Sequence, residues 1–200
     1  MDVSLINITH IKARFKVNKS KLFSSNHFCF CNKIRRKAHK NICVLDCKKL
    51  CEARPYTFII FYSGDVNIVG LRKKEEIALA VSFFCSYASL LPEDVIKEST
   101  IDNITATGKL QHGLNLTHFF HFCKKQKNPS FPIVAFNPSI ISVLYLTFHK
   151  GGRLIFGKTG KFSIVGVKKS HHLKCIRREM IAFMRTYAKT EPTLSVKNVD

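Results

Sequence analysis

Acidic residues are scarce in this 200-residue chain. Asp and Glu together number 13 against 33 Lys and Arg, which leaves a formal net charge of +20. A surplus of this size says nothing about fold, but it favours a polyanionic partner, nucleic acid before an anionic membrane surface. No apolar run approaches the ~18 residues of a membrane-spanning helix, so no membrane role is expected. The opening MDVSLINITHIKARFKV has no charged lead followed by a long apolar core, and no secretory signal is expected. Cysteines are present, but none of Cys29, Cys31, Cys43, Cys47, Cys51, Cys85, Cys123 and Cys175 belongs to a C-x-x-C pair. Zinc-ribbon or finger chemistry is therefore not expected, and free thiols in a reducing compartment are. The Asn-x-Thr triplets at Asn7, Asn103 and Asn115 then carry no glycan. Also missing are carboxylate pairs in a recognisable setting, a nucleophile motif and a phosphate-cradling glycine loop. Neither an enzyme nor a metal or cofactor site is expected.

What is present is enough apolar residue for a core, 46% against 23% charged, and a pattern written twice. FIIFYSGDVNIVGLRKKEE, from Phe58, is matched by RLIFGKTGKFSIVGVKKSHH, from Arg153. A shift of 96 places Asn67 to Gly70 on Ser163 to Gly166, Gly64 on Gly160, and LINIT at Leu5 on IDNIT at Ile101. Phe61 and Phe156 each end an apolar run but lie 95 apart, which reads as one extra residue in the second turn. Both runs read as hairpins bent at a glycine. A long helix follows each, from Lys73 to Leu91 and from Ser170 to Lys189, with apolar residues at steps of three and four. Shorter helices are expected near Lys19 to Ser25 and Leu116 to Cys123, and further strands at NICVLDCKK and SVLYLTFHK. The expected organisation is an α+β chain with a first repeat over 1–95, a second over 96–190 and a tail over 191–200.

This order of motifs resembles the TATA-box-binding protein family. LINIT and IDNIT are similar to its first strands with their central Asn, FIIFYSGDVNIVG to its Phe, Ser-Gly turn and strand end, and FNPSIISVLYLTF to its second stirrup. The resemblance implies a saddle: one curved ten-stranded antiparallel sheet, helices on the convex face, and a concave face along a bent DNA minor groove. That groove offers little beyond A·T-versus-G·C information, and apolar wedges kink it so that more surface is wrapped; the wedge mechanism is one for which this family is a standard example.

Carried onto this chain, the resemblance assigns the groove floor to Asn7 and Asn103, with Thr9 and Thr105 nearby. It assigns the wedges to Phe61 and Phe156. Strand alternation adds Thr57, Ile59 and Leu154 to the same face, with Asn67, Val69, Ser163 and Val165 on the next strand. Phe58, Ile60, Ile155, Val66 and Ile68 then turn to the helices. Ser63, Thr159, Arg72, Lys161 and Lys168 match phosphate-touching positions. The implied partners are A/T-rich double-stranded promoter DNA, TFIIA-like and TFIIB-like factors and the RNA polymerase machinery, in the nucleus; KIRRKAHK (Lys33 to Lys40) reads as an import or phosphate patch, or a solvated loop.

The chain also departs from the family. Ile42 and Ile141 take the place of the second wedge of each repeat, Asp65 replaces a basic residue, and the second stirrup has Asn137 and Ser139 without its acids. The missing acids weigh against a standard TFIIB-like contact. The chain starts almost at the first strand, without a long extension. These changes suggest a divergent paralogue, or a viral or parasite version. Two alternatives to a promoter-bending factor remain: a scaffold of this fold that has lost TATA recognition, and an accessory domain of a repair enzyme.

Overall fold

The first strand shows how the sequence sets the layers. In β1 (Asn7–Val17) Ile11, Ala13, Phe15 and Val17 are buried, while Lys12, Arg14 and Lys16 between them are not, the two-residue period of a strand covered on one face. The computed structural model describes residues 7–24, 42–46 and 57–190, the side chains of 42–46 excepted. KIRRKAHK and Cys29, Cys31, Cys47 and Cys51 lie outside the described residues.

After β1 come α1 (Lys19–Ser24), β2 (Ile42–Asp46), β3 (Thr57–Phe61), β4 (Asp65–Leu71), α2 (Glu76–Tyr87) and the long β5 (Val95–Lys109). Then follow α3 (Leu116–Gln126), β6 (Ile133–Ala135), β7 (Val143–Thr147), β8 (Arg153–Gly157), β9 (Lys161–Val167) and α4 (Ser170–Thr190). The fold is α+β, and every strand pairing for which a register is defined is antiparallel. Nine strands are found among the described residues, one fewer than expected.

Ile8–Ile104 forms one compact unit, and the residues from Thr105 onward, with Asn7, form the other. In the first unit the strands lie in the order β2-β3-β4-β1, with the start of β5 beside β1. In the second the end of β5 is followed by β9, β8, β7 and β6.

Each unit buries one face of its strands under helices. In the first, Phe84 of α2 meets the rings of Phe15 and Phe58 at 5.3 and 5.2 Å, with Ile77, Ala80 and Ala88 on the same helix face. Leu91, expected on that face, is exposed. In the second, Phe119 of α3 is central, with Phe122, Phe156, Phe183 and Tyr187 within 6.2 Å. Each such aromatic contributes about 1.5–3 kcal/mol by leaving water. The Asn115 side chain caps α3 by accepting the His118 N–H at 3.0 Å, a structural role for a residue of the third Asn-x-Thr triplet. Cys123 is buried and Cys85 and Cys175 are partly so, all three unpaired; burial pushes the Cys123 thiol up to about 12, which keeps it protonated and inert.

The hairpins that carry the expected site residues superpose in register with no insertion. Thr57 pairs with Val69 and Ile59 with Asn67, while Arg153 pairs with Val165 and Ile155 with Ser163. The turns close alike, Gly64 N–H donating to Phe61 O at 3.0 Å and Gly160 N–H to Gly157 O at 3.0 Å. Both glycines have positive φ, +83° and +77°, and a Cβ on either would collide with a backbone carbonyl. The extra residue inferred from the Phe spacing is absent: the shift of 96 runs through the whole hairpin, so Phe61 corresponds to Gly157 and Phe156 to Ile60.

Candidate nucleic-acid interface

The strand face turned away from the helices carries most of the expected contact residues. In the first unit Thr57, Ile59, Phe61 and Val69 are half-buried there, and Asn67 shares the face, although only 7% exposed. Phe58, Ile60, Val66 and Ile68, expected to turn inward, are in the core. Ile42 is the Cα partner of Phe61, so the expected second wedge position of this unit does lie beside the first.

The second unit needs four corrections. Phe156 is fully buried, with Phe119 at 5.6 Å and Phe162 at 5.7 Å, and Leu154 is fully buried too. Neither is on the open face; Ile155, expected inside, is half-buried on it together with Arg153, Ser163 and Val165. A one-residue slip moves every side chain of a strand to its other face, and the 95-residue match introduced that slip. Ile141 lies before β7, 44% exposed. The true counterpart of Ile42 is Val143, the Cα partner of Gly157.

The strands bearing the two asparagines correspond at a different shift. Val17 N–H donates to Gly64 O and Leu110 N–H to Gly160 O, each at 2.9 Å, so the spacing here is 110 minus 17, or 93. Asn103 then answers to His10, not to Asn7. Asn103 and Thr105 are half-buried on β5, Thr9 is half-buried on β1, and each already has an interaction partner. Asn7 is exposed and lines a depression of about 480 Å³ with Thr107, Lys109, Lys161 and Ser163.

Ser63, Thr159, Arg72, Lys161 and Lys168, the expected phosphate-side residues, are all exposed. Ser63 donates its hydroxyl to Asp65 Oδ2 at 2.6 Å, which occupies it. Four residues were missed. Lys12 and Arg14 stand on the open face of β1 and reach Asp102 at 3.8 and 3.5 Å. Arg153 lies over the Tyr145 ring, 5.7 Å from its centroid, a cation–π contact. Simple alternation from Ile11 would have found the first two, and the constant shift of 96 the third. Tyr145 needed the β7–β8 register, which no motif announces.

Each open strand face combines apolar and hydroxyl side chains with lysine or arginine, and each carries one half-buried aromatic ring, Phe61 in the first unit and Tyr145 in the second, a chemistry suited to an anionic, flat-sided ligand. No family model matches this chain, and no curated protein matches it by sequence. Its fold is similar to that of a solved structure of Methanococcus jannaschii TBP, with a TM-score of 0.65 at 18% identity over 90% of this chain and 98% of that one.

Proposed function

We propose that the chain is a divergent TBP-like DNA-binding protein of transcription initiation. It lays the open strand faces against the minor groove of A/T-rich promoter duplexes and presses Phe61 on a base step. The observation that supports this most directly is Phe61 itself: a large aromatic left half-buried on a face without helices, Cα-paired with Ile42, in a chain of charge +20. Apolar wedges of this kind unstack a step and kink the duplex. Arg72, Lys161 and Lys168 supply phosphate contacts, and Ser163, Val165, Thr105 and Asn103 meet the groove floor. The reading places it in the nucleus with TFIIA-like and RNA polymerase partners and gives it no catalytic role.

The test is fluorescence anisotropy with TATA, scrambled A·T and G·C duplexes at two salt concentrations, for wild type and Phe61→Ala. Preference for TATA that persists as salt weakens binding, and that Phe61→Ala removes, is the expected result. Equal binding of all duplexes, unchanged by Phe61→Ala, overturns it. That second outcome is the one the scaffold reading expects, in which the fold acts through protein partners; Gly157, which stands in the second unit where the first has Phe61, favours it.

A further inference from the structure

Arg153 stands exposed on the open face of the second unit, at the start of β8, and among the described residues no acid pairs with it. The arginine on the first unit's open strand β1, Arg14, is instead drawn to Asp102 at 3.5 Å. Between Thr105 and Thr190 the sequence holds a single acid, Glu179. Its carboxylate is occupied by Arg178 and by the Ser130 hydroxyl, each at 3.2 Å. What holds Arg153 is the half-buried Tyr145 ring, with the guanidinium carbon 5.7 Å from its centroid. A ring engages one flat face of a guanidinium and leaves the N–H groups at its edge for other acceptors. The Cα partners of Arg153 are Thr147 and Val165, both short, so neither overtops it. The matched place in the first unit holds the short Thr57.

We infer that Arg153, positioned by Tyr145, is a specificity residue that reads an A·T pair by donating hydrogen bonds into the minor groove. This rests on the duplex-binding reading above and deepens it, giving the A·T preference a residue other than the wedge. A guanidinium has five donors and no acceptor. On the groove floor adenine and thymine present only the acceptors N3 and O2, while guanine adds the donor amine N2. A group that can only donate therefore meets a partner at A·T and an opposing donor at G·C. The more negative potential of a narrow A·T groove draws the same cation inward. The second unit has Gly157 where the first has Phe61, so selection by Arg153 requires no ring in the base stack at that place.

The experiment walks a single 2,6-diaminopurine·T pair through an A/T-rich duplex. That base is adenine carrying guanine's N2 amine, so it adds a donor to the groove floor and leaves the pairing partner unchanged. Affinities are read by fluorescence anisotropy against the all-adenine duplex. At one position the added amine costs wild type about tenfold and Arg153→Ala nothing, while at every other position the two proteins respond alike. Arg153→Ala melts at the wild-type temperature, because the side chain it removes is exposed. Tyr145→Leu, which keeps the charge but removes the ring, loses most of the discrimination at that position, and Tyr145→Phe retains it. Equal responses of wild type and Arg153→Ala at every position overturn the inference alone, whether or not the variant binds more weakly throughout, as loss of a phosphate contact would make it. Discrimination unchanged in Tyr145→Leu overturns the positioning role of the ring. Failure of wild type to bind any duplex overturns the inference and the reading beneath it together.

Discussion

At matched places the two units hold opposite chemistry. The first has Phe61, Asp65, Glu75 and Glu76; the second has Gly157, Lys161, His171 and His172. Thr57 becomes Arg153. The backbone tolerates all of this because the hairpin turns and their hydrogen bonds are the same. The first unit keeps an aromatic ring at the end of its hairpin strand and an acid after its turn, while the second has a glycine there and accumulates positive charge. A division of labour follows within the proposed function: the second unit attracts the phosphate backbone, and the first distorts the base stack.

The largest effect expected from breaking the comparison is in the core. Phe156→Ala removes a fully buried ring and should cost about 3–5 kcal/mol of stability, read as a shift in the urea midpoint. Phe61→Ala should cost a fraction of that and act instead on DNA bending, read by fluorescence energy transfer across an end-labelled duplex. Were the two losses of stability equal, Phe61 would be a core residue and the assignment of the wedge would fall.

The next effect concerns how the two cores exchange volume. Phe15 pairs with Val66 in the first unit, whereas in the second the Phe162 ring fills the space where a Gly108 side chain would stand. Gly108→Ala forces that ring aside and should destabilise by about 1–3 kcal/mol. The double change Gly108→Phe with Phe162→Val, which rebuilds the first unit's arrangement, should recover part of the loss of Gly108→Phe alone. Denaturation midpoints of the single and double variants measure that coupling.

These pairs also show what was legible in the sequence. The α+β order, both hairpins and the helix faces at Ile77, Ala80 and Phe84 against Leu173, Ile176 and Met180 could be read from periodicity and turn glycines. The side of Phe156 could not be read by aligning Phe with Phe, because period two makes a one-residue error a complete inversion. Counting back three residues from Gly64 and Gly160 would have placed it. The Asn7–Asn103 equivalence failed for a related reason: the link from β1 to its hairpin and the link from β5 to its own differ by three residues in effective length, and a single shift cannot hold for both. That the buried Oδ1 of Asn67 has no hydrogen-bond partner among the described residues was invisible for a third reason, since satisfaction of a polar group depends on neighbours from other strands.

Charge reversal at the turns should give a smaller, salt-dependent effect. Asp65→Lys frees the Ser63 hydroxyl and makes the first turn resemble the second, so duplex affinity should rise about three- to tenfold at low salt. Lys161→Asp should lower it by a similar factor. The first variant should steepen the slope of log affinity against log salt, and the second flatten it, by about one unit for each phosphate charge neutralised or released. An unchanged slope in both variants would remove the turns from the interface.

The smallest effect is at the helix starts. Glu76 Oε2 accepts the backbone N–H groups of Arg72 at 2.7 Å and Lys73 at 3.2 Å, a carboxylate where the dipole of α2 favours one. The matched residue, in the first turn of α4, is His172. Partial burial and the positive neighbours His171, Lys169 and Lys150 hold its pKa below the usual 6.5. The unfolded chain therefore takes up a proton at this residue at a higher pH than the folded one does. The stability in question is present above pH 6.5 and is lost as pH falls through the interval below it. His172→Glu should restore the first unit's arrangement, raise the melting temperature slightly at pH 7 and flatten its fall between pH 7 and 5.5. A melting curve equally steep in pH for the variant would place the sensitivity in another histidine and leave the two helix starts different in charge but alike in consequence.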